Sequence, residues 1–144
     1  MKKQDYHASI NADVTPQEAF EGINNVSAWW ARKVKGSTNK LNDTFRVDFG
    51  QTFVTFQITE FVPNKKIVWN VIDCNLHWIK EKKEWKNTTV VFEISKEGNT
   101  TKIDMTHIGL VPGVECYDNC EAGWNEHFGE SLFKYLTQHQ GMPV

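Results

Sequence analysis

The sequence predicts an α+β domain in which a curved antiparallel sheet packs against one long C-terminal helix. Two observations lead to this fold class: residues 120–138 have the apolar periodicity of an amphipathic helix, and residues 44–106 contain successive short strands separated by turn residues. With 144 residues, 40% of them hydrophobic, the chain suits a single domain, residues 1–144, with a sizeable core.

The first predicted elements are one strand and two short helices. Apolar and polar residues alternate over residues 6–12, which is typical of a half-buried strand. The sequence Thr15-Pro16-Gln17-Glu18 offers an N-cap hydroxyl, a proline at the first helical position and a glutamate at the third, so a helix is expected to begin there. Ser27 is a candidate N-cap for a second short helix over residues 28–31.

Five more strands are predicted from alternation and turn residues. Residues 45–49 and 54–58 alternate on either side of Gly50-Gln51, which predicts a hairpin with one apolar face. The later strands are predicted at residues 67–73, 88–95 and 101–106. Together with the first strand they give about six strands. Because the connections between them are short, we expect most neighbouring strands to pair antiparallel.

The C-terminal helix has one apolar face that two residues interrupt. At about 100° per residue, the face collects Trp124, Phe128, Leu132, Tyr135 and Leu136. Asn125 and Gly129 are predicted to lie within it. A glycine inside a helix costs about 1 kcal/mol relative to alanine, so Gly129 indicates the close approach of another backbone or of a bound molecule. Asn125 either bonds a neighbouring carbonyl or water, or faces a ligand cavity.

Composition and motifs argue against several classes of protein. A net charge of −2 gives no electrostatic reason to expect nucleic acid. No stretch approaches the roughly 18 apolar residues of a membrane span, and residues 1–10 have no signal-peptide core, so we expect a cytoplasmic protein without membrane insertion. Cys74, Cys116 and Cys120 match neither a disulfide framework nor a zinc pattern. We expect no metal, and the absence of phosphate-loop and dinucleotide motifs predicts no cofactor.

Several short motifs occur in order along the chain. They are Trp29-Trp30, Val34-Lys35-Gly36, residues 61–69, residues 106–110, Gly123-Trp124, Ser131-Leu132, Tyr135-Leu136 and Gly141-Met142-Pro143. In this order they resemble START-like (SRPBCC) proteins, and most of all the bacterial group named for homology to the activator of the ninety-kilodalton heat-shock protein ATPase. The resemblance spans nearly the whole chain. It implies a helix-grip fold with a deep cavity between the sheet and the C-terminal helix, and a superfamily whose members bind lipids, sterols, polyketides and other hydrophobic ligands.

The function predicted from these observations is non-catalytic binding of a small hydrophobic molecule in that cavity. The candidate ligand-binding residues are Trp69, Trp78, His107, Trp124, Asn125, Phe128 and Gly129. His107 closes a predicted strand, so it either sits at the cavity mouth or bonds to loop backbone. Residues 76–85 form either a lid or rim with Trp78 as a contact, or an extended hairpin whose tryptophans pack on the core.

Two other functions stay open at this stage. A chaperone-associated interaction module, with a heat-shock chaperone as partner and a role in stress response, predicts a filled core and an exposed patch that includes Trp29, Trp30, Trp78 and Trp85. A cyclase or hydrolase predicts at least two titratable groups that converge inside the cavity. The family resemblance supplies no shared catalytic triad, so no catalytic residue is assigned. Both a monomer and a homodimer fit the sequence.

Overall fold

The structure, a computed structural model, describes residues 4–144; the start of the predicted domain, residues 1–3, lies outside the described residues. The strands are β1 (Tyr6–Ala12), β2 (Lys33–Gly36), β3 (Thr44–Phe49), β4 (Thr52–Val62), β5 (Lys66–Asn75), β6 (Thr89–Glu97) and β7 (Thr100–Ile108). Within the described residues these seven strands form one antiparallel sheet in the order β1-β7-β6-β5-β4-β3-β2. The strand beyond the six predicted is β2, whose four residues are too few and too polar to show alternation.

The sheet curves because its pairing is irregular at the centre. The register between β4 and β5 shifts between Thr55 and Phe56 and again between Ile58 and Glu60. Extra residues of this kind bend a strand and increase its twist. The concave face that results is covered by the helices, which is the helix-grip arrangement that the sequence motifs imply.

Two short helices follow β1, as predicted. They are α1 (Pro16–Asn24) and α2 (Val26–Trp29). The capping box is confirmed: the backbone N–H of Glu18 donates to the Thr15 hydroxyl at 3.1 Å, and the Thr15 N–H donates to the Glu18 carboxylate at 3.0 Å. The prediction that Ser27 caps the second helix is wrong, since α2 begins one residue earlier, at Val26.

The C-terminal helix changes its winding in the middle. It consists of α3 (Tyr117–Glu126), a π-helical turn (His127–Leu132) and α4 (Phe133–Gln138). Its buried side chains recur every fourth residue, at Trp124, Phe128, Leu132 and Leu136. In a straight α-helix that spacing drifts by about 40° per step, and the wider π turn compensates for the drift. The apolar face therefore stays on the sheet along the whole helix.

An aromatic cluster fills the space between the sheet and the helices. Trp69 of β5 lies parallel to Trp30 at 6.2 Å between ring centroids, and it meets Phe92 edge-on at 4.7 Å. Phe92 in turn lies 6.2 Å from Phe128 of the C-terminal helix. Aromatic pairs of this kind contribute about 0.5–1.5 kcal/mol each beyond the area that they bury. The cluster therefore fixes the helix on the sheet.

No helix formed by residues 4–144 is both long enough and apolar enough to cross a membrane.

Candidate functional site

A cavity of about 300 Å³ lies between the end of the β3–β4 hairpin and the first turns of α3. Its walls come from three parts of the chain. The sheet end and the loop after β5 contribute Phe49, Thr52, Val54, Leu76, His77, Trp78 and Trp85, and the helix contributes Asn119, Cys120, Gly123, Trp124 and His127. Trp30 and Val144 complete the lining. The volume is at the lower end of the range of about 300–1,000 Å³ that is typical of ligand pockets.

The last residues reach the cavity because the π-helical turn holds them. The Ser131 hydroxyl donates to the Trp29 carbonyl at 2.6 Å and accepts the N–H of Met142 at 2.7 Å. Further on, the N–H of Val144 donates to the Trp30 carbonyl at 2.9 Å. These bonds place the Val144 side chain beside Trp30 in the cavity wall.

A buried histidine supports the part of the wall formed by Trp124 and Trp85. The indole N–H of Trp124 donates to Nδ1 of His107 at 3.0 Å. Because Nδ1 accepts, the proton of the neutral ring lies on Nε2, which faces the Thr88 hydroxyl at 2.8 Å. That hydroxyl donates to the Trp85 carbonyl at 2.6 Å. Burial lowers the pKa of His107 to about 3, so the ring is neutral at pH 7. It bonds directly to Trp124 and, through Thr88, to the Trp85 backbone, and so helps to position both tryptophans.

Two carboxylates clamp the loop between β5 and β6 to the start of α3. Glu84 accepts the N–H groups of Glu115 and Cys116, at 2.7 and 2.9 Å. Glu115 accepts those of Lys80 and Glu81 in return, at 2.9 and 3.0 Å, and these bonds lower the pKa of its carboxyl. The loop that carries Trp78 and Trp85 is thus attached to the helix that forms another wall of the cavity.

The polar groups in the lining are few. Among the described residues that line the cavity there is no lysine, arginine, aspartate or glutamate. Burial lowers the pKa of His127, which keeps this ring neutral at pH 7. Its Nδ1 is buried without a hydrogen-bond partner. His77 pairs its Nδ1 with the Thr52 hydroxyl. Such a wall offers contacts to an apolar molecule and little to a charged one.

The cysteines near the cavity are buried thiols. Cys116 accepts the indole N–H of Trp85 at 3.2 Å, and its hydrogen bond with Cys120, together with burial, raises its pKa. A protonated thiol is a weak metal ligand. Within residues 4–144, no three His, Cys, Asp or Glu side chains are grouped to hold a metal ion.

The structure places two of the seven predicted site residues in the cavity wall, Trp78 and Trp124. Trp69, His107 and Phe128 are fully buried behind it. For His107 the expected place at the cavity mouth is wrong, because it continues the alternation of inward residues along β7 instead of ending the strand. Trp69 is enclosed by aromatic rings for the same reason, as an inward residue of the central strand β5.

Asn125 and Gly129 do not line the cavity, and their predicted interior position is wrong. Asn125 is exposed, and its carbonyl oxygen accepts the hydroxyl of Tyr6, a residue of β1, at 2.5 Å. A Cβ at Gly129 would meet no atom within 4 Å, so no close approach requires glycine there. The error arises because one α-helical period was applied across the π-helical turn.

The residues that sequence reasoning missed include Trp30, Cys120, Gly123 and His127. A usable signal existed on the helix. Together with Trp124, its cavity residues follow the i, i+3, i+4, i+7 spacing of one helical face, and the glycine on that face is Gly123. Of the four tryptophans named for the exposed patch of the chaperone hypothesis, Trp29, Trp30 and Trp85 are buried and Trp78 is exposed.

Comparisons with known proteins agree with this architecture. The family model described as Activator of Hsp90 ATPase homolog 1-like protein matches residues 18–137. A comparison with curated proteins finds no match.

Solved structures share the fold. The Aha1 dimer from Colwellia psychrerythraea is 19% identical, with a TM-score of 0.78 and coverage of 98% of this chain and 100% of that chain. A protein from Staphylococcus saprophyticus is 13% identical, with a TM-score of 0.73 and coverage of 96% and 95%. CalU16 from Micromonospora echinospora is 14% identical, with a TM-score of 0.70 and coverage of 95% and 78%. At these identities the likeness establishes the fold alone.

Proposed function

The chain belongs to the family of Activator of Hsp90 ATPase homolog 1-like proteins. We propose that it binds a small hydrophobic ligand in the cavity between the sheet and the C-terminal helix, without catalysis. The observation that carries the proposal is the cavity itself. It has about 300 Å³ of space, and tryptophan, phenylalanine and aliphatic side chains make up most of its wall. Burial of apolar surface contributes roughly 25 cal/mol per Å², so a small ligand gains enough to bind in such a space.

Gly123 offers a direct test, because it lines the cavity without a side chain. A Cβ built there would meet only Cδ2 of His127, at 3.9 Å, which is ordinary contact. Gly123→Leu therefore fills the cavity from the helix side. We expect it to reduce binding of a hydrophobic fluorescent probe by at least about tenfold, because the side chain occupies the volume that the probe needs.

Gly129→Leu is the matched control. It makes the same change in the same helix, at a position where a Cβ meets no atom within 4 Å and which does not line the cavity. This variant is expected to bind the probe like the wild type. Equal probe binding by Gly123→Leu and the wild type would place the probe outside the cavity and contradict the proposal.

A chaperone partner is the second candidate, and the family description favours it, since it names an activator of a chaperone ATPase. Among the four tryptophans named for such a contact, Trp78 is the exposed one, at 43%, and it lines the cavity. Titration of a purified bacterial chaperone of the ninety-kilodalton class with wild-type protein and with Trp78→Ala tests it. If the wild-type protein stimulates ATP hydrolysis by the chaperone and Trp78→Ala does not, the chaperone role is favoured. If the wild-type protein leaves the hydrolysis rate of the chaperone unchanged, direct activation is excluded.

We further propose a cytoplasmic location. Support comes from Cys74, Cys116 and Cys120, which are all free thiols, as expected in a reducing compartment. Cell fractionation with antibodies to the chain distinguishes the compartments, and recovery in an extracytoplasmic fraction would contradict this assignment.

A further inference from the structure

We propose that the cavity selects an uncharged, flat aromatic ring system over acyl chains and over anions. This inference rests on the proposed function and names the class of ligand that the cavity takes. Three features of the described wall carry it: the aromatic rings, the lack of lysine, arginine, aspartate and glutamate, and the hydrogen bonds that hold two of its tryptophans.

Aromatic rings supply half of the lining. Seven of the fourteen residues are Trp30, Phe49, His77, Trp78, Trp85, Trp124 and His127. Trp85 and Trp124 lie nearly parallel, at 10° and 6.0 Å between centroids, and Trp30 tilts against Trp124 at 4.9 Å. Ring faces and edges attract other rings in offset or edge-on positions, and each such contact adds to the simple burial of area. A flat aromatic guest in the cavity can add contacts of this kind with the rings of the lining.

The wall has no partner for an ionised head group. Among the described residues it contains no lysine or arginine, and burial lowers the pKa of His127, which disfavours its charged form. Lys82 belongs to the same loop as Trp78, but its ammonium donates to the carbonyls of His77 and Ile79, at 3.0 Å each. An unpaired charge in an apolar cavity is unfavourable because it loses its hydration, so a fatty-acid carboxylate is disfavoured.

Hydrogen bonds hold two tryptophans of the wall in place. Trp124 is held by His107 and Trp85 by Cys116, through bonds of 3.0 and 3.2 Å. An alkyl chain that enters such a space loses its rotational freedom, whereas a fused ring has none to lose. About 300 Å³ suits a system of roughly two or three fused rings.

The test uses three probes with equal carbon counts: 2-naphthol, 1-decanol and decanoate. Each is titrated into the full chain at pH 7 by calorimetry, and the indole N–H signals of the tryptophans are followed by NMR. We expect 2-naphthol to bind at least about tenfold more tightly than 1-decanol, which corresponds to one favourable ring contact, and decanoate to show no saturable binding. The signals of Trp85 and Trp124 are expected to shift with 2-naphthol.

The outcomes separate this inference from the proposed function. Binding of 1-decanol or decanoate as tight as that of 2-naphthol, and lost in Gly123→Leu, would overturn the aromatic preference and leave the cavity as a ligand site. If no probe binds, or if Gly123→Leu and Gly129→Leu bind all three like the wild type, both proposals fail. Gly123→Ala, with its single added carbon, replaces the leucine variant if the NMR spectrum shows that the latter is unfolded.

Discussion

The indole nitrogen of Trp124 donates a hydrogen bond to Nδ1 of His107 across 3.0 Å, and this bond ties the cavity wall on α3 to the inner face of β7. The imidazole is fully buried, and its second nitrogen faces the Thr88 hydroxyl. Both nitrogens of this histidine are engaged, and the ring has no contact with solvent. Its role is therefore to position its neighbours and not to exchange protons with a ligand.

The same burial makes the stability of the fold depend on pH. The pKa of His107 falls from 6.5 to about 3 because burial disfavours the charged ring. Between these values the unfolded chain binds the proton and the folded chain does not, so the free energy of unfolding decreases as the pH falls below about 6.5. The expected slope is up to about 1.4 kcal/mol per pH unit, measured by urea unfolding between pH 7 and pH 5.

His107→Asn is the control for this slope, because asparagine keeps an acceptor for the Trp124 indole but does not titrate. Its slope should be smaller than that of the wild type, and what remains comes from other groups such as His127, whose pKa is also lowered by burial. Identical slopes in the two proteins would show that His107 is not the titrating group.

Replacing the indole of Trp124 by a phenyl ring should destabilise the fold, although an aromatic side chain is kept. Trp124→Phe removes the donor and leaves Nδ1 of His107 buried without a partner, which costs about 1–3 kcal/mol. Trp78→Phe is the matched control at an exposed position, and its expected effect is within about 0.5 kcal/mol. The free energies of unfolding in urea compare the two. Equal losses would remove the special role of the Trp124 bond.

The carboxylate of Glu84 should control the opening of the loop between β5 and β6. Glu84→Ala frees the N–H groups of Glu115 and Cys116, so their amide hydrogens are expected to exchange faster, by about tenfold for the loss of one bond to a charged group. Glu130→Ala, on the exposed side of the C-terminal helix, is the control and should leave these amides unchanged. Unchanged exchange in Glu84→Ala would contradict the clamp.

The thiols should differ in their reaction with iodoacetamide. Burial raises the pKa of Cys74. A hydrogen bond with Cys120, together with burial, raises the pKa of Cys116. Both thiols are therefore expected to stay unmodified in the native protein at pH 8. Cys120 lines the cavity and is the thiol within reach of a small reagent. Peptide mass spectrometry should therefore find Cys120 modified first, and more slowly when 2-naphthol is present. Faster modification of Cys116 would contradict this order.

The fold was accessible from the sequence because its signals are local. Alternation marks the longer strands, and the capping box at Thr15 and Glu18 marks the start of α1. β2 escaped because Lys33–Gly36 has no alternation and pairs only with β3, through contacts that tertiary structure creates.

The site was less accessible because it depends on register and winding. The π-helical turn at His127–Leu132 leaves no mark in a pattern of fixed period, so Asn125 and Gly129 were assigned to the wrong side of the helix. Trp30 and Val144 meet in the wall only through the bonds of Ser131 and the last residues, which join parts of the chain that are far apart in sequence.

Native mass spectrometry of freshly purified protein, compared with its denatured mass, shows whether the cavity holds a ligand. We expect wild type and Gly129→Leu to retain a small molecule that denaturation releases, and Gly123→Leu to be recovered without it. The released molecule should be neutral and aromatic. Recovery of all three proteins at the mass of the bare chain, together with no binding of a hydrophobic probe by the wild type, would contradict the claim that the cavity is a ligand site.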